Sequence, residues 1–320
     1  MTTSDHDPAQ PAAMRSAFAI TTHADIPQLE RLVHALTDAG DDVRVYISHD
    51  LAGEAGIERL ASERCRIVRE PGGRGDFSAI ARFLSLFALI EEDGGADFST
   101  VLSGADYPAR PISEFLDGLD RSGDGFLHHH RALDATSSDW TQHEARQRYL
   151  YTWRPTRLLG PKASPRWHWL HGLNYLQPFL RFSIAYGPLR VGTWRGTLPE
   201  GMTCHGGSSW FSLSRRAVQH LLAVTRTRPD IVEWGRTSLA IDECYVQSVL
   251  CSAERFTFEN HNGRFIEFSE EGFGHPRILT VDDADRIEES GAYFVRKIDS
   301  VDSAELLDRL DARRTRISQA

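Results

Sequence analysis

Two adjacent acidic residues, Asp242 and Glu243, come just before an apolar run that extends from Tyr245 to Leu250, which predicts a helix that begins near these acids. A carboxylate at a helix start commonly caps the helix, because the first turn leaves backbone N–H groups without partners. A carboxylate that instead faces a ligand can remove a proton from a hydroxyl group. The spacing alone leaves both interpretations of Glu243 open.

The segment before these acids has the pattern of a strand that leads into a helix. Polar residues separate Trp210, Phe211 and Leu213, and Ser214 is a suitable N-cap for a helix that begins after it. Apolar residues then recur at intervals of three and four, which predicts a helix with one buried face. The residues of that face are Ala217, Val218, Leu221, Leu222 and Val224.

Three further polar residues follow predicted strands nearer the N-terminus. His23 follows the apolar run Ala17–Thr21, and Asp50 follows the run Val43–Ile47, with a helical pattern between them. Because a βαβ unit sets two parallel strands side by side, we expect both residues at the edge where open α/β sheets bind ligands. Asp106 follows a later strand and a glycine, so it is either a ligand contact at the same edge or an ordinary turn residue.

Short apolar strands alternate with helical patterns along the first hundred residues, which predicts an α/β fold with a mostly parallel central sheet flanked by helices. Pro27 suits the first turn of one helix, and a second helix should extend from Ser78 to about Glu91. The glycine-rich segment before the second helix has neither Walker nor dinucleotide spacing. We expect a disordered tail over 1–14, one domain over 15–300 and a C-terminal helix within 301–320.

Residues 126–203 show little periodicity and contain many Trp, Tyr, His and Arg residues, which predicts a set of long aromatic-rich loops. Aromatic rings in such loops either bind ligands or cover the core. Three consecutive histidines, His128 to His130, point in different directions in any regular structure. They therefore do not predict a metal site.

Composition excludes several classes of partner. A net charge of -9 over 320 residues gives no reason to expect nucleic-acid binding, so any anionic ligand must be held by a local cluster of cations. Four cysteines without zinc spacing suggest buried thiols in a reducing compartment, which predicts a cytoplasmic protein with peripheral membrane association left open. The sequence contains no apolar run of about 18 residues, so no membrane span is predicted.

Five short segments carry a shared pattern, and they are Leu102–Pro108, Gly207–Arg215, Ile241–Tyr245, His275–Thr280 and Phe294–Asp299. Together they resemble the Core-2/I-branching glycosyltransferase family, which includes branching β-1,6-N-acetylglucosaminyltransferases and peptide xylosyltransferases, and Leu102–Pro108 resembles its L-S-G-x-D-Y-P signature. The pattern departs from the family at Ile241, where the family has Pro, at Cys244, where it has an aromatic residue, and at Asp76.

The resemblance implies a GT-A-type nucleotide-sugar-binding fold with Glu243 as the general base. It also implies that Arg277 and Lys297 contact the nucleotide diphosphate, and that Asp106 orients the donor sugar or the acceptor. The aromatic loops of 126–203 would then bind the acceptor. The expected donor-binding residues are Arg277, Lys297, His23, Asp50 and Asp106, and the expected acceptor-binding residues are Trp210, Ser209 and Asp242.

The expected reaction is transfer of GlcNAc or xylose from a UDP-sugar to a hydroxyl of a glycan or other glycoconjugate, with inversion at the anomeric carbon. Asp283 and Asp285 have D-x-D spacing but lie in a predicted helix, so we expect no metal and no other cofactor, with Arg277 and Lys297 stabilising the leaving diphosphate. The alternative is a non-catalytic nucleotide-sugar or glycan-binding protein that retains the fold.

Overall fold

The computed structural model describes residues 14–73, 75–134, 141–156, 172, 174, 179–184, 188–268 and 276–318. The strands, in chain order, are β1 (Ser16–Thr22), β2 (Val43–Asp50), β3 (Cys65–Glu70), β4 (Phe98–Ser103), β5 (Asp106–Pro108), β6 (Gly125–Arg131), β7 (Tyr151–Pro155), β8 (Leu180–Ser183), β9 (Arg190–Trp194), β10 (His205–Ser214), β11 (Arg264–Ile266) and β12 (Phe294–Arg296).

Helices connect and cover these strands. The α-helices are α1 (Ile26–Thr37), α2 (Phe77–Glu92), α3 (Ile112–Arg121), α4 (Gln142–Tyr149), α5 (Arg215–Thr227), α6 (Pro229–Arg236), α7 (Tyr245–Cys251), α8 (Ala284–Ser290) and α9 (Ala304–Ser318). Short 3₁₀ turns occur at Ile57–Leu60, Ile241–Glu243 and Val281–Asp283.

The central sheet has six strands in the order β3-β2-β1-β4-β10-β6. β1 runs parallel to β2 and β4, and β2 runs parallel to β3, whereas β10 is antiparallel to both β4 and β6. Three of these five pairings are therefore parallel, with α1 and α2 forming connections between parallel strands. The predicted α/β fold with a mostly parallel sheet and flanking helices is confirmed.

Alternate residues of β1 belong to different hydrophobic cores, because successive side chains of a strand point to opposite faces of the sheet. Phe18 and Ile20 are buried on the face covered by α1 and α9, and Ala17 and Ala19 are buried on the face covered by α2 and α5. A strand buried on both faces has a continuous apolar sequence, which explains the run in β1.

The first helix illustrates how local sequence determines an element. Asp25 accepts a hydrogen bond from the backbone N–H of Gln28 and so caps α1, and a proline occupies the first turn as predicted. Leu29, Leu32 and Leu36 all have no exposed surface. Each such burial contributes about 1.5–3 kcal/mol relative to an exposed side chain.

The strand and helix predicted around Ser214 are found as β10 and α5. The Ser214 hydroxyl accepts from the backbone N–H of Ala217, which makes it the N-cap of α5. Because β10 is antiparallel to β4, with Ser212 opposite Thr100, its N-terminal half lies towards the carboxyl ends of β1, β2 and β4. Ser209 and Trp210 are therefore at the edge where open α/β sheets generally bind ligands.

Two small sheets flank the main one, in the orders β11-β12-β5 and β7-β9-β8. The second of these, together with β6 and α4, lies within the segment 126–203 that was predicted to consist of loops. That prediction is wrong for the described part of the segment, because short antiparallel strands of mixed polarity do not give a clear period. Trp140, Trp167 and Trp169 of this segment lie outside the described residues.

The helix predicted to start at Asp242 begins later. Asp242 and Glu243 belong to the separate turn Ile241–Glu243, and α7 starts at Tyr245. After α7 the chain is irregular over residues 256–258, and the nearest pairing is a single bridge between Phe126 and Glu259.

The predicted C-terminal helix is found as α9, whose Leu306, Leu307 and Leu310 are buried against the α1 face of the sheet. The tail predicted over 1–14 lies almost wholly outside the described residues, and the single-domain division stays a prediction. Among the helices of the described residues, none combines the length and apolar character needed to cross a bilayer.

Candidate active site

Strand pairing brings His23 and Asp50 to neighbouring positions, because Thr22 pairs with His49 where β1 and β2 end. The Asp50 carboxylate accepts from the backbone N–H of Ala52 at 3.0 Å and of Gly72 at 3.2 Å. These bonds, the Ala52 bond most strongly, lower the pKa of Asp50. His23 and Asp50 thus lie at the sheet edge as predicted, and contact of these two residues with a donor stays a prediction.

The glycine-rich loop before α2 approaches Asp50 closely. A Cβ added to Gly72 would lie 2.0 Å from Asp50 Oδ2, so a larger residue there would displace the Asp50 carboxylate. The loop then enters α2, where Asp76 accepts from the N–H of Ser78 and serves as N-cap. Asp76, which departs from the family pattern, therefore has a structural function.

A buried arginine lies beneath this edge. The Arg82 side chain extends from α2 and donates to the backbone carbonyls of Thr22 and Ser48, at the ends of β1 and β2. Burial lowers its pKa, partly offset by Asp50 and Glu70. Arg82 therefore links two strand ends and adds positive charge where an anionic ligand could bind.

Asp106 is fully buried at the start of β5, opposite Arg296 of β12. Its carboxylate accepts from the backbone N–H of Ser103, and the Arg296 guanidinium lies 3.5 Å away and also donates to the Ser103 hydroxyl. The acid predicted at the sheet edge is present, with its charge balanced by an arginine. A fully buried Asp106 orients other groups more readily than it contacts a ligand directly.

Arg296 also stacks on Trp210, with its guanidinium carbon 4.4 Å from the ring centroid. A second arginine, Arg264, lies 5.6 Å from the same ring. Burial lowers the pKa of Arg264 to about 10, and its guanidinium donates to the Val101 carbonyl. These cation–π contacts fix the Trp210 indole at the edge of the sheet.

Ser209, next along β10, connects the strand to the turn that carries the two acids. Its hydroxyl donates to Asp242 Oδ2 at 3.1 Å. The other carboxylate oxygen, Oδ1, is buried and accepts no hydrogen bond within the described residues. Burial raises the pKa of Asp242. The Ser209 hydrogen bond fixes the orientation of this acid, and contact of Asp242 with an acceptor stays a prediction.

Glu243 is held by an arginine from a distant part of the chain. Arg148 Nη1 of α4 donates to Glu243 Oε2 at 3.0 Å, and Arg148 Nη2 donates to Glu144 one helical turn earlier. The Glu243 side chain keeps 39% of its surface exposed, so a ligand can reach it. Burial of the carboxylate and the neighbouring Asp242 still raise its pKa to about 7, against the opposing effect of Arg148.

The turn that presents Glu243 is anchored by the small sheet β7-β9-β8. Arg195, just after β9, donates to the Ser238 hydroxyl at 2.6 Å and to the Thr237 hydroxyl at 3.2 Å. The N–H of Leu239 donates to the Arg148 carbonyl. Ala240 then adopts the left-handed conformation with φ 46°, which reverses the chain before the acids.

Arg277 and Lys297 are neighbours in the fold, because the Lys297 N–H donates to the Arg277 carbonyl at 3.4 Å. The Arg277 guanidinium forms a two-bond ion pair with buried Asp283, one bond being 2.8 Å. Lys297 is exposed and makes no ion pair with any described residue. Neither side chain contacts Glu243 within the described residues, and the contact between Arg277 and Lys297 is through their backbones. Their joint action on a diphosphate stays a prediction.

The two aspartates with D-x-D spacing are engaged elsewhere. Asp283 pairs with Arg277, and Asp285 on α8 pairs with Arg309 of α9. Across the described ranges, no group of three His, Cys, Asp or Glu side chains has the arrangement of a metal site.

The sequence did not single out the four arginines that organise this edge, Arg82, Arg148, Arg264 and Arg296. All but two of the 36 Lys and Arg residues are arginine, so an arginine at any position is unremarkable in this chain. The available signal is weak: Arg82 interrupts the apolar pattern of α2, and Arg148 follows Glu144 at the spacing of an intrahelical ion pair.

Comparison with known proteins is consistent with this geometry. The family model described as Core-2/I-Branching enzyme matches residues 16–299. The β-glucuronosyltransferase GlcAT14B of Arabidopsis thaliana is 33% identical over 296 residues, which are 88% of this chain and 61% of that protein. The β-glucuronosyltransferase GlcAT14A of the same plant is 31% identical over 122 residues, 37% of this chain and 27% of its own.

The solved structure of a 4-diphosphocytidyl-2C-methyl-D-erythritol synthase overlaps 41% of this chain and 68% of its own chain. The two are 13% identical with a TM-score of 0.28, so this likeness supports no argument. The chain spans about three fifths of the length of GlcAT14B. Its six-stranded, mostly parallel sheet flanked by helices is consistent with a GT-A-like nucleotide-binding fold. The family match covers most of the chain, and the chain belongs to the Core-2/I-branching enzyme family.

Proposed function

We propose that this protein is a glycosyltransferase of the GT-A type that moves a sugar from a nucleotide-sugar donor to a hydroxyl of a carbohydrate or glycoconjugate acceptor. The observation that carries the proposal is the accessible Glu243 carboxylate, held by Arg148 and with a pKa of about 7. A general base is most effective when its pKa lies near the working pH.

In the proposed reaction, Glu243 accepts the proton of the acceptor hydroxyl as the oxygen attacks the anomeric carbon of the donor sugar. The bond from that carbon to the diphosphate oxygen breaks on the opposite face, and the electron pair leaves with the nucleoside diphosphate. A single displacement of this kind inverts the anomeric configuration. Asp242 and Ser209 would position the acceptor, and Trp210 would pack against a sugar ring.

The departing diphosphate needs positive charge. Lys297, exposed and without an ion pair in the described part of the chain, supports a contact with the diphosphate. Arg277 lies beside it. Its guanidinium would bind the diphosphate only if it left Asp283 or contacted both groups at once. We propose that these two cations provide the stabilisation and that transfer is independent of metal. His23 and Asp50 would hold the rest of the donor, and Asp106 would orient the groups around it through Ser103 and Arg296.

The donor sugar is proposed from family relationships. The resemblance suggests GlcNAc or xylose as the donor sugar. The names of the Arabidopsis relatives, which are β-glucuronosyltransferases, suggest glucuronic acid as a third candidate. A glucuronate differs from the other two by a carboxylate that needs a cationic partner. Release of UDP from UDP-GlcNAc, UDP-xylose and UDP-glucuronate by the intact protein, with a mixed glycan acceptor, tests the proposed function and ranks the three donors.

The alternative is a nucleotide-sugar or glycan-binding protein without catalysis. The observation that favours it is the Arg277–Asp283 ion pair, which neutralises one of the two cations needed at the diphosphate. A binder would show a higher melting temperature with UDP and release no UDP from any donor. Turnover of any one of the three donors would exclude this alternative.

A further inference from the structure

A cavity of about 260 Å³ lies between α4 and the sheet β7-β9-β8, away from the candidate active site. His143, Arg146 and Gln147 line it from one side of α4. Glu144 and Arg148, which form the ion-pair network of Glu243, lie on a different side of the same helix, because each residue advances by about 100°. The cavity and Glu243 therefore lie on different sides of α4.

An aromatic surface forms the floor of this cavity. The Trp194 side chain remains 47% exposed although it belongs to a strand. Its ring is held in place by Tyr151, whose centroid is 5.0 Å away at 69°, and by Gly196, where an added Cβ would come within 3.0 Å of the indole nitrogen. A fixed, partly exposed indole presents a preorganised apolar face.

Polar groups surround that face. Arg146 is exposed and forms no ion pair with any described residue, and the His143 and Gln147 side chains bond to one another at 2.8 Å. An apolar floor with a few hydrogen-bonding groups at its rim matches a sugar ring, which has an apolar face and a polar circumference. Two arginines line the cavity, Arg146 and Arg181, and their charge suits a neutral or acidic sugar better than a cationic ligand.

We infer that this cavity is a distal subsite for an oligosaccharide acceptor, with one sugar unit stacked on Trp194 while another lies at Glu243. The inference rests on the proposed function. An α-helix with its side chains is about 10–12 Å wide, so only an acceptor of several sugar units reaches both places. The subsite would therefore select for chain length and leave the chemistry at Glu243 unchanged.

The test compares acceptors of one to five units, as β-linked oligomers of galactose, xylose and N-acetylglucosamine, on the intact protein. Trp194→Ala should raise KM for the longest active oligomer about tenfold, the equivalent of one stacking contact, with kcat unchanged and with no change for the monosaccharide. Trp194→Phe should recover most of the loss. Phe268→Ala removes another exposed aromatic side chain, 62% exposed on a different part of the surface, and should change neither value.

Two results would overturn the subsite. One is a wild-type protein with no preference for longer acceptors, and the other is an equal effect of Trp194→Ala on monosaccharide and pentasaccharide. Calorimetric titration of the same oligomers without donor separates this inference from the proposed function. Weaker pentasaccharide binding by Trp194→Ala supports the subsite even in a protein that releases no UDP, and equal binding by both proteins refutes it.

Discussion

Arg148 donates to Glu243 at 3.0 Å although the two residues are 95 positions apart, and the same guanidinium also bonds Glu144. One cation therefore orients the proposed base and favours its ionised form. Burial and Asp242 act in the opposite direction, and the pKa of Glu243 settles at about 7. Both the position and the proton affinity of Glu243 thus depend on residues outside its own segment.

Replacing Glu243 by Gln should lower sugar transfer about 10²–10⁴-fold, because the amide cannot accept the hydroxyl proton. Donor binding should persist, since the proposed donor contacts lie on other segments. UDP release and UDP affinity are the two measurements. Glu233→Gln, which changes an exposed acid on α6, is the matched control and should retain full activity. Full activity in Glu243→Gln would remove this residue as the base.

Replacing Arg148 by Gln should raise the pKa of Glu243 further, because the positive partner that favours the carboxylate is lost. A base acts only when deprotonated, so activity declines as the pH falls through this pKa. The acidic limb of kcat/KM against pH should therefore shift to higher pH by about one unit. A uniformly lower profile with an unmoved limb would assign Arg148 a purely structural role.

The local part of this site was predictable from sequence. The Ser214 cap, the strand leading to it and the strand ends at His23 and Asp50 depend on neighbouring residues and on the geometry of parallel strands. The start of α7 was predicted too early, because Cys244, with φ -144° and ψ -33°, interrupts the helical backbone between Glu243 and that helix. Nothing in the local pattern indicates that a cysteine adopts this conformation.

The long-range part of the site could not be read from the sequence. Arg148 meets Glu243, and Arg296 meets Trp210, only because the folded sheets bring distant segments together. Arg277 was expected to face a diphosphate, yet its partner Asp283 is only six positions away and competes for the same guanidinium. A motif specifies which residue types occur, whereas the competing partner depends on the folded geometry.

Asp242 should make stability depend on pH in a predictable direction. Its pKa is raised by burial, so the folded state disfavours the ionised carboxylate, and stability is lost as the pH rises above the value of the unfolded chain, near 4. Asp242→Asn removes this cost. Its melting temperature relative to wild type should therefore be higher at pH 8 than at pH 4. The same difference at both values would contradict the raised pKa.

Removal of divalent metal should leave sugar transfer unchanged, because the proposal assigns the diphosphate charge to Lys297 and Arg277. Activity is compared before and after dialysis against EDTA, then again with Mn²⁺ added back. A loss that Mn²⁺ restores would show that a metal carries this charge. The UDP-induced shift in melting temperature, recorded under the same three conditions, shows whether binding or chemistry is affected.

Lys297 and Arg277 should respond differently to truncation, although they are adjacent. Lys297→Ala should raise the KM for donor about tenfold or more and leave the melting temperature unchanged, since the exposed ammonium has no described ion pair to lose. Arg121→Ala, which removes an exposed cation from α3, is the control and should alter neither quantity.

Arg277→Ala should instead destabilise the fold by about 1–3 kcal/mol, because the Asp283 carboxylate, whose side chain is only 5% exposed, then keeps only the more distant Arg286 and the Thr280 N–H. The double variant Arg277→Ala with Asp283→Asn should recover part of this stability, since the buried charge is gone, while donor KM stays high if Arg277 also contacts the diphosphate. Recovery of both quantities in the double variant would restrict Arg277 to a structural role and leave Lys297 to act on the diphosphate without it.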